Sequence, residues 1–213
     1  RNRCTLSVDT SGELLHRRGW RLKAGVAPVR ENLAAAILRL AGWSPGMPLH
    51  DPMCGSGTFL IEAATWAAGM APGRQRHFAC EGWTAKSNKD DVCPTAPIET
   101  SICGGDRSEA AIEASCENAG RAGVTLSVSQ LEAAESTPLT AETGLLICNP
   151  PYGKRIRTRE TLGQLRSLAT GPFCDWKIAI LHPPGLDAKK LGRPILERHG
   201  LKNGGLAVEL LLL

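Results

Sequence analysis

The chain has 213 residues, enough for one substantial domain with a buried core, and its 42% hydrophobic and 22% charged content is that of an ordinary globular protein. No apolar run approaches the ~20 residues that span a bilayer; the longest, residues 206–213, is interrupted by Glu209. A net charge of +4 permits a nucleic-acid partner without demanding one.

The eight cysteines include no Cys-x-x-Cys pair, which argues against a zinc site and against a dense disulfide scaffold. Reduced thiols in a cytoplasmic protein, with no metal and no membrane, are expected. No basic-then-apolar leader is present, and the chain starts at Arg1 rather than Met, so it reads as part of a longer protein. Positive charge clusters at Arg17, Arg18, Arg21 and Lys23, at Arg74 and Arg76, and at Lys154, Arg155, Arg157 and Arg159. Each cluster alone is ordinary solvated surface; together they fit a shared nucleic-acid face.

Residues 4–8 alternate at period two, 9–12 read as a turn, and 14–20 can return, which predicts a β-hairpin ahead of the main domain. Residues 30–42, with Pro28 near the start and Gly42 near the end, predict an amphipathic helix with Leu33, Ile37, Leu40 and Ala41 on one face. Strands are then expected at 48–53, 100–104, 126–129, 144–148 and 176–181, with helices at 57–69, 108–122 and 159–169. Asn203-Gly204-Gly205, within 201–213, predicts a closing hairpin or a sharp turn into a final strand. Residues 71–99 show no pattern and read as a long loop. Alternating strands and helices imply an α/β fold with a parallel sheet covered on both faces, and ligands in such sheets bind beyond the carboxyl ends of the strands.

The unusual motifs fall at those ends. Asp51-Pro52-Met53-Cys54-Gly55-Ser56-Gly57-Thr58 joins the first strand to its helix, and its glycines allow a tight turn close to a ligand. It lacks the Lys of a phosphate-binding P-loop, and Leu60 stands where a dinucleotide fingerprint needs a third glycine. A plain turn and an S-adenosylmethionine loop remain, with Asp51 offering an acceptor near the methionine amine. Asp106, after Gly105 at the end of the second strand, can accept ribose hydroxyls or cap the helix that follows. Asn149-Pro150-Pro151-Tyr152 follows the fourth strand. The two prolines fix the turn and remove N–H donors. The Asn149 amide and the Pro150 carbonyl can then accept from a planar amine, and Tyr152 can stack on the ring that carries it.

Taken together, these motifs resemble the methyltransferase domain of the family of large-subunit ribosomal RNA guanine-N2 methyltransferases. Carrying the resemblance are His16 to Arg21, Ala27-Pro28 with Glu31, the 51–58 loop with Ile61-Glu62-Ala63-Ala64, Ala71-Pro72-Gly73, Gly105-Asp106, Asn118-Ala119, Asn149 to Gly153 and Asn203 to Leu206. It implies a class I, Rossmann-like fold of seven strands with an antiparallel last strand. It implies a hairpin linker over 1–25 from a THUMP-type RNA-binding domain, and a catalytic domain over 26–213. It assigns the cofactor S-adenosyl-L-methionine to Asp51, Met53, Cys54, Gly55, Ser56, Gly57, Thr58, Asp106, Arg107 and Gln130. It assigns the target base to Asn149, Pro150, Pro151 and Tyr152.

Two positions depart from the family pattern. Gln130, with Glu132 nearby, stands where an acid usually meets the adenine amine, and His50 replaces an aliphatic residue and is expected to be buried and hydrogen-bonded. The expected reaction is methylation of an exocyclic base amine, guanine N2 of 23S ribosomal RNA first. Adenine N6 in DNA or RNA, and an inactive nucleic-acid-binding module, are the alternatives.

Overall fold

The computed structural model describes residues 3–14, 16–21, 29–75, 77–83, 96–140, 142–151 and 158–213. Pro28, Lys23, Arg76, Tyr152, Lys154, Arg155 and Arg157 lie outside them.

Strands β1 (Leu49–Asp51), β2 (Ile102–Asp106), β3 (Ser127–Gln130), β4 (Leu145–Cys148), β5 (Lys177–His182), β6 (Glu197–Asn203) and β7 (Leu206–Leu212) form one sheet in the order β3-β2-β1-β4-β5-β7-β6. The first five run parallel, and β7 is antiparallel to both β5 and β6. β1 therefore sits in the middle of the five parallel strands, and the strand order progresses outward from it, through β2 and β3 on one side and β4 and β5 on the other.

The central strands are buried throughout, and the period of two divides their side chains between two cores. Leu145, Ile147, Ala179, Leu181, Val208 and Leu210 face one core, which helices α1 (Glu31–Leu40) and α2 (Thr58–Ala67) close. Leu146, Cys148, Ile178, Ile180 and Leu211 face the other, closed by α4 (Thr158–Thr170) with Phe173 and Trp176. α3 (Glu109–Ala122) lies beside α2 and ends at Gly123, whose φ of 72° is the left-handed cap expected of glycine there. The buried stripe of α1 is Ala34, Ile37, Leu38 and Ala41. Ile37 and Ala41 lie on the predicted face and Leu33 packs partly buried beside them, while Ala34 and Leu38 complete the stripe and Leu40 is left exposed.

The hairpin expected over residues 4–20 does not form: the described residues there contain no strand. Leu6 and Val8 are 91% and 70% exposed, so the alternating residues have no apolar face to cover. Side chains tie this segment down instead. Trp20 is buried against Ile61, Ala119 and Ala122. Arg18 meets Glu62 at 3.3 Å, and Arg21 meets Glu31 at 3.2 Å while donating to the Val29 carbonyl and the Thr58 hydroxyl.

The closing hairpin does form. Gly204 and Gly205 have φ of 59° and 93°, the two positive values a tight two-residue turn requires. β6 was missed in the sequence because Glu-Arg-His-Gly-Leu-Lys-Asn is a polar edge strand with little apolar alternation. No helix among the described residues is long and apolar enough to cross a membrane, and no group of three or more metal-ligating side chains gathers among them.

Candidate active site

β1 hydrogen-bonds to β2 on one side and β4 on the other, so its last residue is held at the centre of the sheet's carboxyl edge. That residue, Asp51, is 2% exposed, and its Oδ1 accepts the Met53 N–H at 3.0 Å. The glycine loop beyond it is pinned by backbone. Cys54 N–H donates to the Gly105 carbonyl at 2.9 Å, and Gly57 N–H to the Cys54 carbonyl at 2.9 Å. A Cβ on Gly104 would lie 2.6 Å from the Asp51 carbonyl, so only glycine lets the β1 and β2 ends come this close.

Asp106 joins the two ends. Its Oδ2 accepts Gly55 N–H and its Oδ1 accepts Ser108 N–H, each at 3.0 Å. It therefore starts α3 and holds the glycine loop at the same time, so the capping alternative does not compete with a place in the site. Buried Asn118 braces the loop from behind, donating to the Ser56 carbonyl at 3.3 Å and accepting from Arg121 at 3.2 Å.

A cleft of about 300 Å³ opens along this edge. Met53, Asp106, Arg107 and Pro151 all line it, so the loop, the β2 acid and the double-proline turn arrive at one place. Asn149 and buried Pro150 lead from β4 into that wall. Tyr152 lies outside the described residues. Cys54, Ser56 and Thr58 are buried, and Thr58 Oγ1 accepts from Arg21, so these residues shape the loop from its inner side. Gln130 is not among the described lining residues; its amide donates to the carbonyl of Arg107, which is, at 3.1 Å.

Glu132 stands in the cleft instead, with Gln164 of α4 donating to its carboxylate at 3.3 Å, and Pro52, Ala133, Thr161 and Glu160 complete the lining. The acid directly preceding Ala133, just past β3, was the available sequence signal. The α4 residues carried none, because they reach the cleft only through packing.

Charge and space indicate what fits. Among the described residues, Asp106, Glu132 and Glu160 line the cleft with Arg107 as the only cation. Asp51 adds a further carboxyl just behind. Such an acceptor set suits a ligand carrying positive charge and several hydroxyl or amine donors, and disfavours a polyphosphate. Above Gly55 a Cβ would meet no atom within 4 Å, leaving the loop's outer side open for close approach. An ammonium, a sulfonium and a ribose diol, the polar parts of S-adenosylmethionine, fit these residues.

Burial pushes the Asp51 carboxyl up to about 8; the Met53 N–H opposes this, and the Asp106 charge adds to it. Burial likewise holds the Cys148 thiol well above its ordinary range, with Asp51 adding. A carboxyl raised from 3.8 to about 8 keeps its proton in the folded state where the unfolded chain has lost it. Its contribution to stability is therefore complete below about 3.8 and is lost as pH rises to about 8. Unfolding of Asp51→Asn and of the unsubstituted chain, followed by urea titration at several pH values, should show the variant gaining relative stability across that window. Parallel curves would contradict it. A cationic ligand beside Asp51 favours the charged form and pulls its pKa back down.

His50 is buried as expected, but only half of its ring is satisfied. Nδ1 lies 3.0 Å from the Cys103 sulfur, while Nε2 is buried with no hydrogen-bond partner among the described residues. Burial lowers its pKa to about 4, so the ring is neutral at physiological pH, and it packs against Phe173 with centroids 5.1 Å apart. An orphaned buried polar atom costs about 1–3 kcal/mol. His50→Leu should accordingly fold normally and melt no lower than the parent chain; a marked loss of melting temperature would show that the imidazole is structurally required.

The comparisons with known proteins agree with this geometry. The sequence pattern of the RMKL-like methyltransferase domain matches residues 18–171. A Synechocystis sp. protein named as a putative RNA methyltransferase is 37% identical, the match covering 99% of this chain and 58% of that protein. The crystal structure of SMU.472, named as a putative methyltransferase complexed with SAH, superposes with a TM-score of 0.85 at 33% identity, over 96% of this chain and 56% of that one. A Listeria monocytogenes protein, named as a predicted N6-adenine-specific DNA methylase, gives 0.80 at 31% identity over 96% and 56% of the two chains. The chain thus spans a little over half the length of these relatives. With a seven-stranded mixed sheet of this order and a pattern match across most of its length, the chain belongs to the family of RMKL-like methyltransferase domains.

Proposed function

We propose that this chain is the catalytic domain of an S-adenosylmethionine-dependent methyltransferase acting on an exocyclic base amine in RNA, with guanine N2 of 23S ribosomal RNA as the preferred target. One observation carries the reading: Pro52 and Met53 at the start of the glycine loop, Asp106 that holds this loop, and Pro151 of the double-proline turn border a single carboxylate-lined cleft. The SAH named with SMU.472 and the RNA named for the Synechocystis relative support the cofactor and the substrate class. A preceding THUMP-type RNA-binding domain would account for the relatives' greater length.

S-adenosylmethionine, when bound, supplies a methyl group on a sulfonium that an amine nitrogen can attack directly. Asp51 and the loop from Met53 to Thr58 would hold its methionine part. Asp106 would take the ribose, aided by Arg107. Glu132 would accept from the adenine amine in place of Gln130. Asn149 Oδ1 and the Pro150 carbonyl would accept the two hydrogens of the target amine. They fix its orientation and stabilise the positive charge that develops on nitrogen during transfer. Pro151 leaves no N–H beside them to compete. Tyr152 would stack on the base. No strong base lies among these residues, so the surplus proton leaves through the same acceptors to water.

Adenine N6 is the second reading, favoured by the name of the Listeria relative. Incubating the chain with methyl-labelled cofactor and ribosomal RNA from cells lacking the gene, followed by mass analysis of nucleosides, decides between them. N2-methylguanosine is the expected product. N6-methyladenosine would transfer the assignment to the second reading. No transfer to ribosomal RNA or to DNA, with the cofactor bound, would identify an inactive binding module.

A further inference from the structure

A second cleft, of about 140 Å³, lies between α1 and α2, away from the carboxylate-lined one. Its chemistry is opposite in sign. Arg18, Arg39 and Arg74 line it against one carboxylate, Glu62. Arg18 already occupies that carboxylate through two hydrogen bonds of 3.3 Å. Among the described residues no carboxylate lies within ion-pair distance of Arg39 or Arg74. Glu62 is the one carboxylate among the lining residues and its charge also reaches Arg74, so three guanidinium groups share one negative charge and the described lining keeps an excess of positive charge.

Both guanidinium groups are set in place by uncharged contacts. Arg39 lies over the Trp66 ring, 4.5 Å from its centroid, and Trp66 is itself held edge-on to Trp43 at 5.3 Å. Arg74 donates to the Ala71 and Ala122 carbonyls, which anchors it at the end of α3. A planar cation held this way loses little side-chain freedom when it meets an anion and presents its remaining N–H groups as a fork. Phosphate oxygens match that fork.

Thr65 and Trp66 bring α2 into this cleft, whereas Thr58 begins the helix at the cofactor loop. Eight positions at helical rise separate the two sites by about 12 Å along the axis. A lone nucleotide in the first cleft does not extend that far; a polynucleotide does. We infer that the Arg39–Arg74 cleft is a docking site for the sugar–phosphate backbone of the RNA substrate, at a distance from the nucleotide being methylated. The inference rests on the RNA reading above.

Binding of a fluorescein-labelled single-stranded RNA of about 20 nucleotides, followed by anisotropy across a salt series, tests it. Each phosphate contact on a single strand contributes about 0.7 to the slope of log K against log salt. Arg39→Gln with Arg74→Gln should therefore lower the slope by about 1.4 and weaken binding roughly 10-fold at low salt. Affinity for S-adenosylhomocysteine, measured by calorimetry, should not change. Arg39→Lys with Arg74→Lys keeps the charges while losing the stack and the fork, and should recover most of the slope. An unchanged slope in the glutamine pair, a lysine pair as weak as the glutamine pair, or an unsubstituted chain that binds S-adenosylhomocysteine but no RNA would each overturn the docking site. Loss of S-adenosylhomocysteine binding by the unsubstituted chain would instead strike the proposed function itself.

Discussion

Asn149→Ala is expected to lower methyl transfer by about 10²–10³-fold while S-adenosylhomocysteine affinity stays within a few fold. The asymmetry follows from where the residue sits. The four residues of β4 are fully buried between two cores, and the strand leads through Asn149 and Pro150 to Pro151 in the wall of the cleft. On the proposed reading the Asn149 amide meets the amine that gains charge during transfer, while the cofactor would have its own partners at Asp51, Asp106 and Glu132. An acceptor aimed at charge that develops only in the transition state affects the rate far more than ground-state binding. Single-turnover transfer beside calorimetric binding measures the two separately. Asn149→Asp keeps an acceptor and should lie between the parent and the alanine variant. Ordinary turnover in Asn149→Ala would remove the basis for placing the target amine here.

Asp106→Ala should act in the opposite sense, weakening S-adenosylhomocysteine by about 100-fold or more. Hydrogen bonds to a charged group are worth about 1.5–3 kcal/mol each. The substitution removes the proposed ribose contacts and frees the Gly55 N–H that shapes the loop. The unliganded variant should also melt at a lower temperature, because Ser108 N–H loses its acceptor at the start of α3. Affinity is therefore to be measured by calorimetry well below that transition. Asp106→Asn retains one acceptor oxygen and should be intermediate in both respects. Undiminished affinity in the alanine variant would end the ribose assignment.

How far the sequence foretold this structure depended on whether a residue's role is local. β4 and β5 were legible because apolar runs bounded by turn residues reflect burial on both faces, whereas β3, an exposed Ser-Val-Ser-Gln edge strand, was marked only by its place between α3 and the next turn. The glycine loop was legible because positive φ at Gly55 and Gly57 requires glycine. The hairpin at residues 4–20 was a misreading: alternation at Leu6 and Val8 describes a strand only where an apolar face awaits it. Arg18 and Trp20 find their partners on helices more than 40 positions away, as the Arg18–Glu62 bond spans 44, and Arg21 reaches Thr58 across 37; no spacing rule reveals that. In the site, Asp106 and the double-proline turn were visible at strand ends. Gln130 was favoured over Glu132 by its place directly at the strand end, yet its amide folds back to the Arg107 carbonyl. Glu132 gains its position partly from Gln164, 32 residues later.

The two hydrogen bonds to Asp106 also bear on how this position can change over evolutionary time. The side chain proposed to meet the ligand is already required by the empty protein, since one oxygen holds the glycine loop and the other starts a helix. Glutamate, one methylene longer, would displace one of the two anchored amides. A descendant released from selection for activity would therefore still be held to aspartate here by selection for folding. Its persistence in a related sequence signals an intact scaffold, and whether that scaffold still works has to be judged at other positions.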